Sequence, residues 1–128
     1  MTRINVVPVD ELCDQHLLAE HRELTRIPNC IVKGRYNLSN QPKDYVLGQG
    51  HVKFFYTRLS YLRTRYVQLH NECTKRGFDV VYKWPDGVLP PEQKFWNDYK
   101  PTDNALQINR ERIQIRKPKK ARYYSKPI

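Results

Sequence analysis

The residue best suited to nucleophilic chemistry stands directly after the first methionine. Thr2 has a small side chain, so we expect Met1 to be removed, which leaves a free α-amine on Thr2. An α-amine has a pKa of about 7.7 to 8.0, far below that of lysine, so much of it is unprotonated near neutral pH. Such an amine can attack an electrophilic carbon when the fold holds it in place. Thr2 is therefore a candidate nucleophile.

An acid among cations is the second candidate group. On a helix that advances about 100° per residue, Glu23 lies in one band with a histidine, an alanine and two arginines. These neighbours are His16, Ala19, Arg22 and Arg26. Such a band can be ordinary solvated surface. A carboxylate flanked by arginines near a free amine also suits a catalytic site, and Glu23 is the candidate acid.

The charge of the chain favours a polyanionic partner. Lys and Arg total 23 against 13 Asp and Glu, which gives a net charge of +10. Over residues 110–128, eight basic residues and one acid supply +7 of that charge. This basic tail could be a solvated, disordered end, but it also contains Tyr123 and Tyr124. Aromatic rings among cations suit contact with bases and phosphates, so we favour a nucleic-acid contact.

Length and motif content exclude several classes of protein. The 128 residues predict one domain over residues 1–128, and no apolar stretch is long enough to span a membrane. Cys13, Cys30 and Cys73 form no CxxC pair or His/Cys cluster, so we expect no metal site and no disulfide framework. The stretch from Gly48 to His51 lacks the Gly-Lys-Ser/Thr ending of a phosphate loop, and we predict a tight loop there.

Three predicted helices must position the candidate groups. The first starts at Val9 with Asp10 as its N-cap and ends near Arg26, because Pro28 disfavours helical geometry in the residue before it. Its buried side carries Cys13, Leu17 and Leu24, with Leu18 at the margin. The second is a long amphipathic helix from His51 to Lys75-Arg76, irregular in its first turns, with Gly77 as the residue that ends it.

The third predicted helix precedes the basic tail. Asp103-Asn104 caps it, Ala105, Ile108 and Ile115 face inward, and Pro118 follows its end. Residues 28–50 and 78–101 are rich in Pro, Gly and Asn and predict long connections. Strand patterns are weak throughout. The sequence therefore predicts a compact all-α fold of three helices with long loops and a basic C-terminal tail.

Six collinear segments resemble one family along nearly the whole chain. They are MTRIN at 1–5, a segment within 14–24 that matches at DQHL, AE and REL (residues 14–17, 19–20 and 22–24), LGQGHVKFFY at 47–56, LRTR at 62–65, ECTKRGF at 72–78 and YYSK at 123–126. In this order they resemble the phage pyrimidine-dimer DNA glycosylases, historically called endonuclease V. The resemblance implies an all-helical fold whose N-terminal segment threads between helices and brings the α-amine to the active site.

The resemblance also implies roles for particular residues. Thr2 would attack C1′ of the 5′ nucleotide of a cyclobutane pyrimidine dimer, form a Schiff base with the sugar and cut the strand by β-elimination. Glu23 would stabilise the positive sugar and assist proton transfers. The phosphates and sugar of the lesion would be held by Arg3, His16, Arg22 and Arg26. We expect no cofactor, a monomer acting on damaged double-stranded DNA, and a cytoplasmic location, in an infected host cell if the chain is phage-encoded.

The chain departs from the family pattern in its tail and first helix. Lys120-Ala121-Arg122 stands where the family has a Trp-Tyr-Lys run, which should weaken stacking more than phosphate attraction. His21 replaces a tyrosine. The third helix aligns loosely. The DNA contacts that we predict in this half are Arg110, Arg112, Lys120, Arg122, Tyr123 and Tyr124.

Three hypotheses follow from these observations. The first is a pyrimidine-dimer glycosylase with abasic-site lyase activity. The second keeps this chemistry but directs it at another damaged or modified base, or at modified DNA as a nuclease substrate. The third is a non-enzymatic DNA-binding module on the same scaffold, which would require that Met1 is retained or that Glu23 has only a structural role.

Overall fold

The computed structural model of the protein describes residues 3–123, and over these residues the predicted all-α fold is confirmed. It contains five α-helices: α1 (Asp14–Leu24), α2 (Arg26–Val32), α3 (His51–Phe55), α4 (Leu59–Lys75) and α5 (Asp103–Arg116). Two short 3₁₀ turns lie at Val9–Glu11 and Gln93–Phe95. Within residues 3–123 the nearest approach to a strand is an isolated bridge between Arg58 and Trp96. No helix in this part of the chain is both long and apolar enough to cross a membrane.

The first predicted helical region is divided into three pieces. Asp10 caps no helix, because Val9–Glu11 forms a 3₁₀ turn and the chain is extended at Leu12 and Cys13 before α1 begins. Pro28 does not end a helix either. It is the third residue of α2, where the missing N–H of a proline costs no hydrogen bond because the first amides of a helix have no partner within it.

The second predicted helical region is divided once. A turn at 56–58 separates α3 from α4, consistent with the irregular first turns that were predicted. The end of α4 agrees with the sequence: Gly77 has φ 88°, its amide bonds to the Thr74 carbonyl, and the Phe78 amide bonds to the Cys73 carbonyl. These two bonds are those of a Schellman motif, in which glycine is favoured at the left-handed position.

The helix α5 differs from the third predicted helix only near its two ends. Thr102, one residue before the predicted cap, accepts a hydrogen bond from the Ala105 amide at 3.0 Å. Ala105 is buried and Ile108 half-buried, but the inward prediction for Ile115 is wrong, since 75% of that residue is exposed. The fully buried position on α5 is instead taken by a polar residue, Asn109.

The core lies where α1 packs against α4, and the N-terminal segment runs through it. The predicted inward residues of α1 are confirmed, since Cys13, Leu17 and Leu24 are buried. Phe54 and Phe55 of α3 pack edge-to-face, with ring centroids 5.0 Å apart, in the same core. Residues 4–7 are buried as well. The predicted threading of this segment between helices is thus confirmed, and all three cysteines carry free thiols.

Candidate active site

A cavity of about 340 Å³ opens between the N-terminal segment, α1 and α5. Its lining residues are Arg3, Asn5, His16, Ala19, Glu20, Glu23, Arg112, Ile113 and Arg116. Four predicted site residues meet in one place: Glu23, Arg3 and His16, which were predicted to form the active site, and Arg112, which was predicted as a separate DNA contact. The cavity combines two carboxylates with three guanidinium groups, a composition suited to a reaction on an anionic substrate.

Glu23 contacts the backbone close to the N-terminus, at Arg3. Its Oε1 accepts a hydrogen bond from the backbone amide of Arg3 at 2.8 Å, and its Oε2 lies 3.6 Å from the Arg22 guanidinium. The Glu23 side chain keeps 14% of its surface exposed, so the carboxylate is largely desolvated yet open to the cavity. It can therefore stabilise a positive charge that develops in the cavity.

Glu20 is the second carboxylate, and its environment is closed. Its oxygens bind Arg65 of α4, with Nε at 2.8 Å from Oε2 and Nη2 at 3.0 Å from Oε1. The Nδ2 of Asn5 adds a third bond, at 2.8 Å to Oε1. A carboxylate that is 1% exposed requires such pairing. Glu20 was missed by the sequence analysis, although its i, i+3 spacing to Glu23 puts both acids on one side of α1.

Side chains from the α3 region hold the backbone of Ile4. The Ile4 amide donates to Nε2 of His51 at 2.8 Å, and its carbonyl accepts from the Tyr45 hydroxyl at 2.8 Å. His51 in turn lies 2.7 Å from the Val46 carbonyl through Nδ1. Burial lowers the pKa of His51 to about 4. The neutral ring thus donates from Nδ1 and accepts at Nε2, so His51 holds the N-terminal segment in place.

Cations crowd the other side of the cavity. Burial lowers the pKa of the Arg3 guanidinium, and the positive charge of nearby Arg112 lowers it further. The Nε of Arg112 is buried without a hydrogen-bond partner among residues 3–123. His16 closes this side through a 3.2 Å bond from its Nε2 to the Arg116 carbonyl. Guanidinium groups held close together in this way favour the binding of a phosphate.

A comparison with protein-family models gives a match over residues 1–86, to the family described as pyrimidine dimer DNA glycosylase. The match covers more than half of the chain and includes α1 through α4. The chain belongs to this family. It is accordingly a DNA repair glycosylase, an enzyme that acts on DNA, and the resemblance read from its sequence is confirmed.

The other predicted site residues of this glycosylase that the structure describes are not part of the cavity lining. Arg22 approaches Glu23 with 48% of its side chain exposed, and Arg26 is exposed at the start of α2. Arg110 pairs with Glu11 at 2.8 Å on the surface. Arg116, which borders the cavity, was not predicted as a site residue. Thr2 and Tyr124 lie outside the described residues.

The basic tail docks on the N-terminus of α1. The Arg122 carbonyl accepts from the Asp14 amide at 2.6 Å, while the Gln15 side chain bonds to the Lys120 carbonyl at 3.0 Å and to the Arg122 amide at 3.2 Å. Among residues 3–123 no side chain caps α1, and the tail carbonyl accepts from the first amide of the helix, which has no partner within the helix itself. Up to Tyr123, whose ring lies 5.3 Å from Lys117 Nζ, the tail thus contacts the folded chain.

His21 faces the core rather than the cavity. It is fully buried, with its ring centroid 5.3 Å from Tyr66 and 5.6 Å from His70 of α4. Burial lowers the pKa of His21, and the proximity of His70 lowers it further. His21 therefore contributes to the packing of α1 on α4 and not to the lining of the cavity. Within residues 3–123, no group of three or more His, Cys, Asp or Glu side chains could hold a metal ion.

Proposed function

We propose that this glycosylase excises the 5′ base of cyclobutane pyrimidine dimers with the α-amine of Thr2 and then nicks the strand at the resulting site. The observation that carries the proposal is the 2.8 Å bond between the Arg3 amide and Glu23. Thr2 is joined covalently to that amide nitrogen, so the candidate nucleophile and the candidate acid belong to one small region. The surrounding cations offer sites for DNA phosphates.

The proposed reaction begins at C1′ of the 5′ nucleotide. The unprotonated amine of Thr2 forms a bond to C1′ as the glycosidic C1′–N bond breaks, and the departing base, still joined to its neighbour in the dimer, takes the electron pair and a proton. Loss of an amine proton and opening of the C1′–O4′ bond, with a proton passing to O4′, give an imine. Removal of a C2′ proton then breaks the C3′–O3′ bond and expels the 3′ phosphate. Water hydrolyses the imine and restores the amine.

Glu23 has the central role among the side chains of the cavity. Its carboxylate stabilises the positive charge that builds on the sugar as the base departs, and it exchanges protons with O4′ and C2′. Glu20 is not available for these proton transfers because both of its carboxylate oxygens accept hydrogen bonds from Arg65 or Asn5. The difference in environment supports assigning the proton transfers to Glu23 alone.

DNA binding is assigned to the cationic groups. Arg3, Arg112 and Arg116 line the cavity and would hold phosphates next to the reacting sugar, with His16 beside them. Arg22 and Arg26 extend this contact along α1 and α2. The tail and the outer side of α5 would contact the flanking duplex through Arg110, Lys120, Arg122, Tyr123 and Tyr124. We propose that the chain acts as a monomer and requires no cofactor.

The same chemistry on a different damaged or modified base is the second candidate. It is favoured by the Lys120-Ala121-Arg122 departure and by a family match that ends at residue 86, before α5 and the tail. The Glu23 carboxylate, open to a cavity with an anion-binding lining, supports an enzyme over a DNA-binding module.

Borohydride trapping on three matched duplexes tests the proposal. The duplexes contain a thymine dimer, an abasic site, or no damage, and borohydride reduces an imine to a stable covalent adduct. We expect adducts on the dimer and on the abasic site and none on undamaged DNA. An adduct on the abasic site alone would support lyase chemistry with another target base. The absence of adducts on all three would contradict the proposed mechanism.

A further inference from the structure

The buried N-terminal segment has no strand to pair with. Residues 4–7 are almost fully buried and irregular, with a bend at Val7, and no strand exists within residues 3–123. A buried backbone amide without a partner costs free energy comparable to that of a lost hydrogen bond. The described hydrogen bonds show that side chains from four regions of the chain take the place of a neighbouring strand.

Asn109 of α5 makes three of these bonds from a fully buried position. Its Oδ1 accepts from the amides of Val6 at 2.7 Å and Val7 at 3.2 Å, and its Nδ2 donates to Asn5 Oδ1 at 2.8 Å. A side-chain amide can do this because its oxygen accepts hydrogen bonds and its nitrogen donates them. An aspartate lacks the donor, and a leucine of similar size lacks both functions.

The network continues from Asn5 to the other side of the segment. Asn5 Nδ2 donates to the Glu20 carboxylate of α1, which also accepts from Arg65 of α4. Arg65 in turn donates from Nη1 to the Val7 carbonyl, which returns the network to the segment. The segment is thus held from α1, α4 and α5 by one connected set of bonds. All of its side chains are buried, so they exchange few of these bonds for bonds to water.

The network fixes how far the segment extends toward the cavity. Consecutive Cα atoms lie about 3.8 Å apart, so a slip of one residue would carry the Arg3 amide out of bonding distance of Glu23. We propose that Asn109 is a positioning residue, which sets the register of residues 4–7 and thereby the distance from the N-terminal amine to Glu23. This inference rests on the proposed role of Thr2, and Asn109 itself touches no reacting atom.

Single-turnover imine trapping of Asn109→Ala on abasic DNA tests this role. At saturating protein, well below the melting temperature, we expect the trapping rate to fall by about 100-fold, because misplacement of a reacting group by about 1 Å can cost that much. Affinity for undamaged duplex should stay unchanged, since Asn109 faces the interior. Ala105→Gly is the matched control: it lies on α5, is buried, and lowers stability without removing any hydrogen bond to the segment, because a methyl group makes none.

The outcomes separate the inference from the proposed function. No adduct with the unaltered chain would overturn the proposed function, and the inference with it. An adduct formed by Asn109→Ala at the normal rate, or an equal slowing in Ala105→Gly, would overturn the inference alone. If circular dichroism shows that Asn109→Ala does not fold, Asn109→Leu decides, because leucine fills a similar volume but can neither accept from the Val6 and Val7 amides nor donate to Asn5. A normal trapping rate in Asn109→Leu would then contradict the proposal.

Discussion

Two glutamates one helical turn apart on α1 have opposite environments. Glu20 is fully paired with Arg65 and Asn5, whereas Glu23 has one backbone donor and one exposed arginine. A carboxylate whose oxygens are all occupied cannot readily exchange protons with a substrate, and one that borders an open cavity can. This contrast supports the proposal that Glu23 alone carries the acid–base chemistry.

Glu23→Gln should therefore separate binding from chemistry. The amide keeps the shape and still accepts from the Arg3 amide, but it has no charge to stabilise a positive sugar. We expect strand cleavage on dimer-containing DNA to fall by at least about 100-fold, with affinity for the lesion retained. Glu111→Gln, an exposed change on α5, is the control and should cleave normally. Near-normal turnover by Glu23→Gln would remove this residue from the mechanism.

His51 should make the stability of the fold depend on pH. Its pKa is lowered by burial to about 4 in the folded protein, against about 6.5 in an unfolded chain. The unfolded state therefore binds more protons between these values, so stability is lost as the pH falls from about 6.5 to 4. A difference of this size corresponds to about 3 kcal/mol.

Urea unfolding at pH 7.5 and pH 4.5 measures this effect. His51→Gln, which does not titrate, should lose most of the dependence. His21→Phe is the comparison, because the pKa of His21 is also lowered but its ring does not bond to the N-terminal segment. Equal pH dependence in the unaltered chain and in His51→Gln would contradict this account of the histidine.

At the scale of elements, the tail and α1 stabilise each other. Gln15 bonds to the tail through both ends of its amide, and the Asp14 amide adds a third bond. Gln15→Ala should release the tail, so we expect trypsin to cleave after Lys119, Lys120 and Arg122 several times faster than in the unaltered chain. Gln68→Ala, exposed on α4, is the control. Unchanged cleavage in Gln15→Ala would show that the tail is held by other contacts.

Local patterns predicted the helical regions well and their boundaries less well. The apolar periodicity of α1 and α4 and the helix-ending Gly77 depend only on residues close together in the chain. Such local signals can be recognised in the sequence without knowledge of the tertiary fold. The first turn of α2 contradicts the expectation for Pro28, because a new helix begins two residues before it and needs no amide hydrogen at that point. The exposure of Ile115 arises because the last turn of α5 projects from the core.

The candidate site was predictable where its residues share one helix and hidden where they do not. Helical periodicity alone puts Glu23, His16 and Arg22 in one band on the surface of α1. Asn109 binds backbone amides more than 100 positions earlier in the chain, and no spacing rule connects such partners. Arg116 faces the cavity only because α5 packs beside the N-terminal segment. These contacts depend on the tertiary fold, which composition and periodicity do not specify.

At the scale of the whole molecule, the uneven charge governs DNA affinity. The tail and the cavity arginines would each displace counterions from DNA, so binding to undamaged duplex should weaken steeply with salt. Replacing both Lys120 and Arg122 with alanine should reduce the slope of log K against log salt by about 1.8. The charge-preserving pair Lys120→Arg and Arg122→Lys should leave the slope unchanged. A slope unaffected by the alanine changes would exclude these side chains as phosphate contacts.

The most direct test of the account is to locate the covalent bond in the trapped complex. Borohydride-reduced adduct on dimer-containing DNA would be digested with nuclease and protease, and the modified peptide sequenced by mass spectrometry. We expect the sugar remnant on the α-amine of Thr2, with Met1 absent. A remnant on a lysine side chain, or an adduct formed equally well when an extra residue precedes Thr2, would contradict the assignment of the N-terminal amine as the nucleophile.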